Sequence, residues 1–141
     1  MNFLLDTSLI SELVKAAQNK NVLEWLSNTS ETSLYLSVLT IGEIEKGIAK
    51  LPNSIRRERL EAWLRQDLAD RFRERLLAID GIVAATWGRL AGEAEARGET
   101  LPVIDGLIAA TALAHGLAVV TRNIGDFQRC GVRCVNPWLS A

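Results

Sequence analysis

The chain reads as a three-layer α/β/α sandwich around a parallel β-sheet. Three observations predict it. Short apolar runs alternate with helical patterns along the 141 residues. That order suits parallel strands joined by right-handed helical crossovers. The first run, "NFLL" at residues 2–5, has the look of a strand buried on both faces. No internal repeat, low-complexity tract or linker interrupts the pattern, so residues 1–141 fit one domain.

The elements follow in order. After "NFLL", "DTSLISELV" supplies a helix start, with Thr7 or Ser8 as cap and Leu9, Ile10, Leu13 and Val14 as its apolar face. "NVLEWLSN" continues as a second short helix, and "LYLSV", residues 34–38, is a second strand. In "TIGEIEKGIAKL" Ile41, Ile44, Ile48 and Leu51 recur at spacings of three and four, an amphipathic helix with Glu43 in its first turn. Pro52-Asn53-Ser54 is a turn. From Ile55 to about Arg75, Leu60, Trp63, Leu64, Leu68 and Phe72 share one side of a further helix. "RLLAID" is a third strand tipped by Asp80, and residues 82–97 form an Ala-rich helix ended by Gly98. A helix from about Ile104 to His115 stops at Gly116. "LAVVT" and "VRCVNP" complete five strands.

Composition narrows the function classes. A chain of this size hides roughly two-thirds of its unfolded surface on folding, enough for a proper core. With 48% hydrophobic and 23% charged residues it matches an ordinary globular protein. A net charge of −1 does not advertise a nucleic-acid binder, although a local basic patch would suffice for one. No apolar run is long enough to span a bilayer, and "MNFLLDTS" lacks the basic leader of a signal peptide, so a cytoplasmic protein without membrane contact is expected. Cys130 and Cys134 with a single His make a poor case for zinc, which needs about four ligands. They read as small core or near-surface residues.

In a parallel sheet, ligands bind beyond the carboxyl ends of the strands, near a switch in strand order. Four acidic residues stand where this topology brings them to that edge: Asp6, Glu43, Asp105 and Asp126. Each has a local alternative. Asp6 could cap the helix it precedes, Glu43 and Asp105 could compensate helix dipoles, and Asp126 could cap a turn before Phe127. Four such coincidences at one edge are harder to accept than one shared cause. Crowded carboxylates repel, and a hard divalent cation relieves the repulsion. Oxygen-only ligands point to Mg²⁺ or Mn²⁺, an ion suited to phosphate esters. Thr7 and Ser8, and Thr121 and Asn123, lie beside these carboxylates and can support them. Lys46 and Lys50 share a helical face with Glu43 and could guide a phosphate backbone or form only a solvated face. Arg122 could touch phosphate or only solvent.

"LLDTSLISEL", "TIGEIEKGI" and "PVIDGLIAATALAHGLAVVTRNIGDF" resemble the PIN-domain family, and within it the VapC-type ribonuclease toxins of bacterial toxin–antitoxin pairs. The likeness covers nearly the whole chain, in order. It implies an α/β/α sandwich with Mg²⁺- or Mn²⁺-dependent endoribonuclease activity. It implies that Asp6 and Asp105 ligate metal and that Asp126 is a ligand or holds a water. Glu43 would act through water on the metal or as an outer ligand, and Thr7 or Ser8 and Thr121 would orient these groups. Many relatives carry Asn where this chain has Ser8, which weakens any role assigned there. A cognate antitoxin and a homodimer are also implied, with the segment from Ile55 to Phe72, including Trp63 and Phe72, as an interface or simply a core face.

Two other readings compete. One is a PIN nuclease of RNA processing, for which no extra domain is present. The other is a PIN-like module that binds RNA or protein without catalysis, which would have little use for a self-repelling acidic cluster. A phosphoacceptor receiver domain would want adjacent acidic residues at the first strand tip, where "LLD" has one.

Overall fold

Five parallel strands form the sheet in the order β3-β2-β1-β4-β5 in the computed structural model, which describes residues 1–139. They are β1 (Phe3–Leu5), β2 (Leu34–Ser37), β3 (Leu76–Leu77), β4 (Ala118–Val120) and β5 (Cys134–Val135). Phe3 pairs with Leu34 on one side of β1 and with Ala118 on the other. The chain therefore builds outward from β1 to β3, then returns to place β4 on the opposite flank. The order reverses between β1 and β4, so a crevice is expected past their carboxyl ends.

Period-two alternation divides the core between two layers. Leu5, Leu34, Leu36 and Val120 face one side, with Leu9, Ile10, Val22, Ile48, Leu64, Leu68 and Phe72. That side carries α1 (Thr7–Leu13), α2 (Lys20–Ser27), α3 (Val38–Ala49) and α4 (Ile55–Ala62). Leu4 and Val119 face the other, with Ile108, Ala109, Ala112, Phe127 and Val132. There lie α7 (Val103–His115) and α8 (Ile124–Arg129), with α6 (Gly81–Ala96) packed on α7. The small residues of α7, Gly106, Ala109, Ala110 and Ala112, let it sit close against the sheet. Gly116 adopts φ +66°, a left-handed turn that feeds α7 directly into β4. Among the described residues no helix is long and apolar enough to cross a membrane.

Several boundaries differ from the sequence expectation. Asp6, not Thr7 or Ser8, is the N-cap of α1, and its main-chain carbonyl accepts from Leu9 N–H at 3.0 Å. Val14 lies outside α1 and is exposed. Helix α3 begins at Val38 because Ser37 Oγ accepts from Leu39 N–H at 3.1 Å. Glu43 therefore falls in the second turn, where the helix dipole no longer accounts for a carboxylate. The helix from Ile55 passes through a π-helical segment, Trp63–Leu68, into the short α5 (Ala69–Arg71), and ends before Arg75. Phe72 is 1% exposed and belongs to the core, not to an interface; Trp63 packs against the same cluster. β3 is only two residues long, and Asp80 caps α6 through Val83 N–H at 2.9 Å instead of tipping a strand. "IGDFQR", to which the sequence reading assigned no element, is helical. Cys130 and Cys134 are free, half-buried and packed against the second cluster.

Candidate active site

Asp6 follows β1 directly, and Thr121 follows β4 directly, so both stand at the reversal of strand order. Their main chains continue the ladder: Asp6 N–H donates to Val120 at 2.9 Å. Asp6 is 7% exposed and Thr121 is fully buried. Thr121 Oγ1 donates to Asp6 Oδ2 at 2.7 Å, and Ser8 Oγ donates to the same oxygen at 3.1 Å. Thr121 Oγ1 in turn accepts from Asn123 N–H at 3.1 Å. Ser8 Oγ accepts from Arg122 N–H at 3.3 Å. A carboxylate taken out of water needs such donors. Both side-chain donors meet one oxygen, which leaves Oδ1 free for another partner.

Glu43 reaches this edge from α3. Thr7 Oγ1 donates to Glu43 Oε1 at 2.6 Å and lies 3.4 Å from the buried Thr40 Oγ1. The hydroxyl that follows Asp6 in sequence thus orients the carboxylate of a different helix. Thr40 was not singled out from the sequence. Its signal was a polar residue one turn before Glu43 on an otherwise apolar face.

Asp105 lies in the first turn of α7. Its pKa is raised to about 6 by burial first, then by the charges of Asp6 and Asp126, a hydrogen bond with Asp126, and the charge of Glu43. A helix N-terminus works in the opposite direction and is outweighed. Asp6, Asp126 and Glu43 therefore all act on Asp105, whatever local role each has. Asp126, on α8, is ion-paired with Arg129 three residues on, a helical i,i+3 spacing.

The remaining candidates divide. Ser8, Thr7, Thr121 and Asn123 join the network described above. Lys46 and Lys50 are exposed, and among the described residues no hydrogen bond or ion pair ties them to it. Arg122 touches the network only through its main chain, while its guanidinium sits over the Trp138 ring, 5.5 Å from the centroid.

The donor set suits a hard cation in its chemistry: oxygen ligands, excess negative charge, and one carboxyl whose ionisation its neighbours already oppose. Among the described residues no group of three or more His, Cys, Asp or Glu side chains is placed to hold a metal ion. Mg²⁺ rarely requires one, since it keeps several waters and takes one or two carboxylates.

A model of the PIN domain matches residues 3–132. The toxin FitB of Neisseria gonorrhoeae is 37% identical over 135 residues, 96% of this chain and 97% of that protein. The plasmid stability protein StbB of Pseudomonas syringae pv. tomato is 36% identical over the same length, with the same coverage of both chains. The VapC ribonuclease Y4jK of Sinorhizobium fredii is 36% identical over 134 residues, 95% of this chain and 96% of its own. Among solved structures, FitAB bound to an IR36 DNA fragment superposes with a TM-score of 0.92 at 34% identity, covering 99% of this chain and 97% of that one. The strand order, the acidic edge at its reversal and these likenesses agree: the chain belongs to the PIN-domain family.

Proposed function

We propose that this chain is an endoribonuclease, the toxin of a toxin–antitoxin pair, hydrolysing phosphodiester bonds in RNA at the edge formed by Asp6, Glu43, Asp105 and Asp126. The observation that carries the reading is the convergence of these carboxyls on one sheet edge, where Asp6, Asp126 and Glu43 add to burial in pushing Asp105 to about 6. A fold held only by its core has no use for that repulsion, whereas a site for a divalent cation does. The relatives that align over nearly the full length include the toxin FitB and the VapC ribonuclease Y4jK.

Asp6, Asp105 and Asp126 would hold Mg²⁺ or Mn²⁺, directly or through the waters it keeps, with Glu43 acting through water. When bound, the ion would offset charge developing on the phosphate and help to activate water. The chain's own residues supply the rest. Thr121 and Ser8 fix Asp6 through Oδ2. Thr7 holds Glu43 through Oε1, leaving Oε2 to accept a proton from an attacking water. Arg129 offsets the charge of Asp126 and so limits the repulsion at Asp105. The same reading includes a homodimer and an antitoxin that covers the acidic edge; a toxin–antitoxin complex from Klebsiella pneumoniae is among the structural relatives.

The test is cleavage of total tRNA, ribosomal RNA and an unstructured RNA by purified protein free of partner. Mg²⁺ or Mn²⁺ is compared with EDTA, and Asp105→Asn serves as control. Metal-dependent cuts lost in the variant are expected. No cutting by the parent with any metal or RNA would favour a binding module instead.

A further inference from the structure

An anionic substrate approaching four carboxylates needs a cation that no internal ion pair has taken. Arg129 is engaged with Asp126. Arg122 is different. It follows Thr121 directly, its side chain is exposed, and among the described residues it pairs with no carboxylate. Its main chain is tied at both ends: N–H donates to Ser8 Oγ at 3.3 Å, and the carbonyl accepts from Asn136 Nδ2 at 3.4 Å. Among the described residues its guanidinium is held by the face of Trp138 alone. A ring face steadies the cation without using its N–H groups, so the whole planar fork stays available for a phosphate.

Trp138 is itself held on every side. Its N–H donates to Asn136 Oδ1 at 3.0 Å, and its carbonyl accepts from Asn21 Nδ2 at 2.9 Å. Its indole Nε1 donates to Glu12 Oε1 at 3.2 Å. Glu12 is 4% exposed and also accepts from Lys15 Nζ and Asn19 N–H. Trp138 is thereby fastened to α1 and α2, and an exposed arginine rests on the fastening.

We infer that Arg122 is a substrate-binding residue that grips the RNA backbone beside the acidic edge, and that Trp138, anchored by Glu12, is the positioning residue that holds it there. This rests on the ribonuclease reading and adds a site for a neighbouring phosphate. Glu12 and Trp138, which that reading leaves unused, become the support for substrate binding.

The test uses the whole chain and a labelled 12-nucleotide single-stranded RNA of mixed sequence. Steady-state cleavage with Mn²⁺ gives kcat and KM. Anisotropy in an Asp105→Asn background gives Kd at several salt concentrations. Arg122→Gln is expected to raise KM and Kd about fivefold, affect kcat far less, and flatten the salt dependence by about one phosphate contact. Arg122→Lys keeps the charge but loses the planar fork, and should fall between. Trp138→Leu should reproduce Arg122→Gln in KM and salt slope, because the guanidinium loses its seat. Arg122→Gln with the parent's KM, Kd and salt slope would overturn the inference while cleavage by the parent left the ribonuclease reading in place. So would variants that lose thermal stability and kcat together with the salt slope unchanged, or a variant that lost only capture of the protein antitoxin. A parent that binds the RNA but cuts none would overturn the ribonuclease reading, and Kd alone would then decide the role of Arg122.

Discussion

Thr121 Oγ1 and Asp6 Oδ2, separated by 115 residues in the chain, meet at 2.7 Å inside the protein. The contact joins the ends of β1 and β4 at the reversal of strand order. Thr121→Val keeps the shape and removes the hydroxyl. Asp6 then keeps Ser8 as its one side-chain donor, and Asn123 N–H loses its acceptor. A loss of about 1–3 kcal/mol is expected from the unpaired groups. Cleavage should fall roughly tenfold or more as Asp6 loses its orientation. Urea denaturation and cleavage rates measure the two effects separately. Parent-like rates would show that Thr121 supports the fold and not the site.

Asp105 has its pKa raised to about 6 from an ordinary 3.8. A carboxyl whose folded pKa is raised binds more protons in the folded state. In EDTA, stability therefore rises as pH falls from about 6 towards 4, and above 6 the ionised form carries the full penalty. Asp105→Asn removes that penalty. The side chain is partly exposed, so after solvent screening the gain at pH 7 is at most about 1 kcal/mol, vanishing near pH 4. Denaturation of parent and variant across this range checks the sign. A variant less stable than the parent at pH 7 would contradict the repulsion on which the site rests.

Glu12 moves the other way. Burial pushes its carboxyl up, but Trp138, the Asn19 N–H and Lys15 outweigh that and hold it below the ordinary 4.5. A depressed folded pKa gives stability that is present above the unfolded value and is lost as pH falls through the folded one. Glu12→Gln should be less stable than the parent at pH 7, with the gap closing below pH 4. Melting temperatures from pH 7 to 3 test it, and a gap of constant size would mean that packing, not charge, is what Glu12 contributes.

Gly106 follows Asp105, and a Cβ there would lie 2.9 Å from Leu101 Cδ2 and 3.1 Å from Trp87 Cδ1. Gly106→Ala gains helix propensity but must displace one of these side chains. A net loss of about 1–3 kcal/mol is expected from overpacking. Adding Leu101→Ala should recover part of it if the clash is the cause. Thermal melts of the single and double variants decide; a single variant as stable as the parent would show that Leu101 moves aside freely.

Much of this protein was decided locally and could be read before folding. The apolar runs at Phe3–Leu5, Leu34–Ser37 and Ala118–Val120, the i,i+3 and i,i+4 stripes, and Gly116 after the last turn of α7 all mark elements by rules that act within a few residues. The acidic residues at the strand tips and helix starts were visible for the same reason. Boundaries drifted where a side chain captured a main-chain N–H ahead of the pattern, as Ser37 did at α3. Tertiary structure alone decided the partners. That Thr7 serves Glu43 instead of Asp6, that Phe72 enters the core, that Arg122 rests on Trp138, and that Asp105 senses three other carboxyls are contacts between residues of different segments. Periodicity acts over a turn or a strand, whereas these distances are set by how β1 and β4 come together and which helices the sheet holds against its two faces.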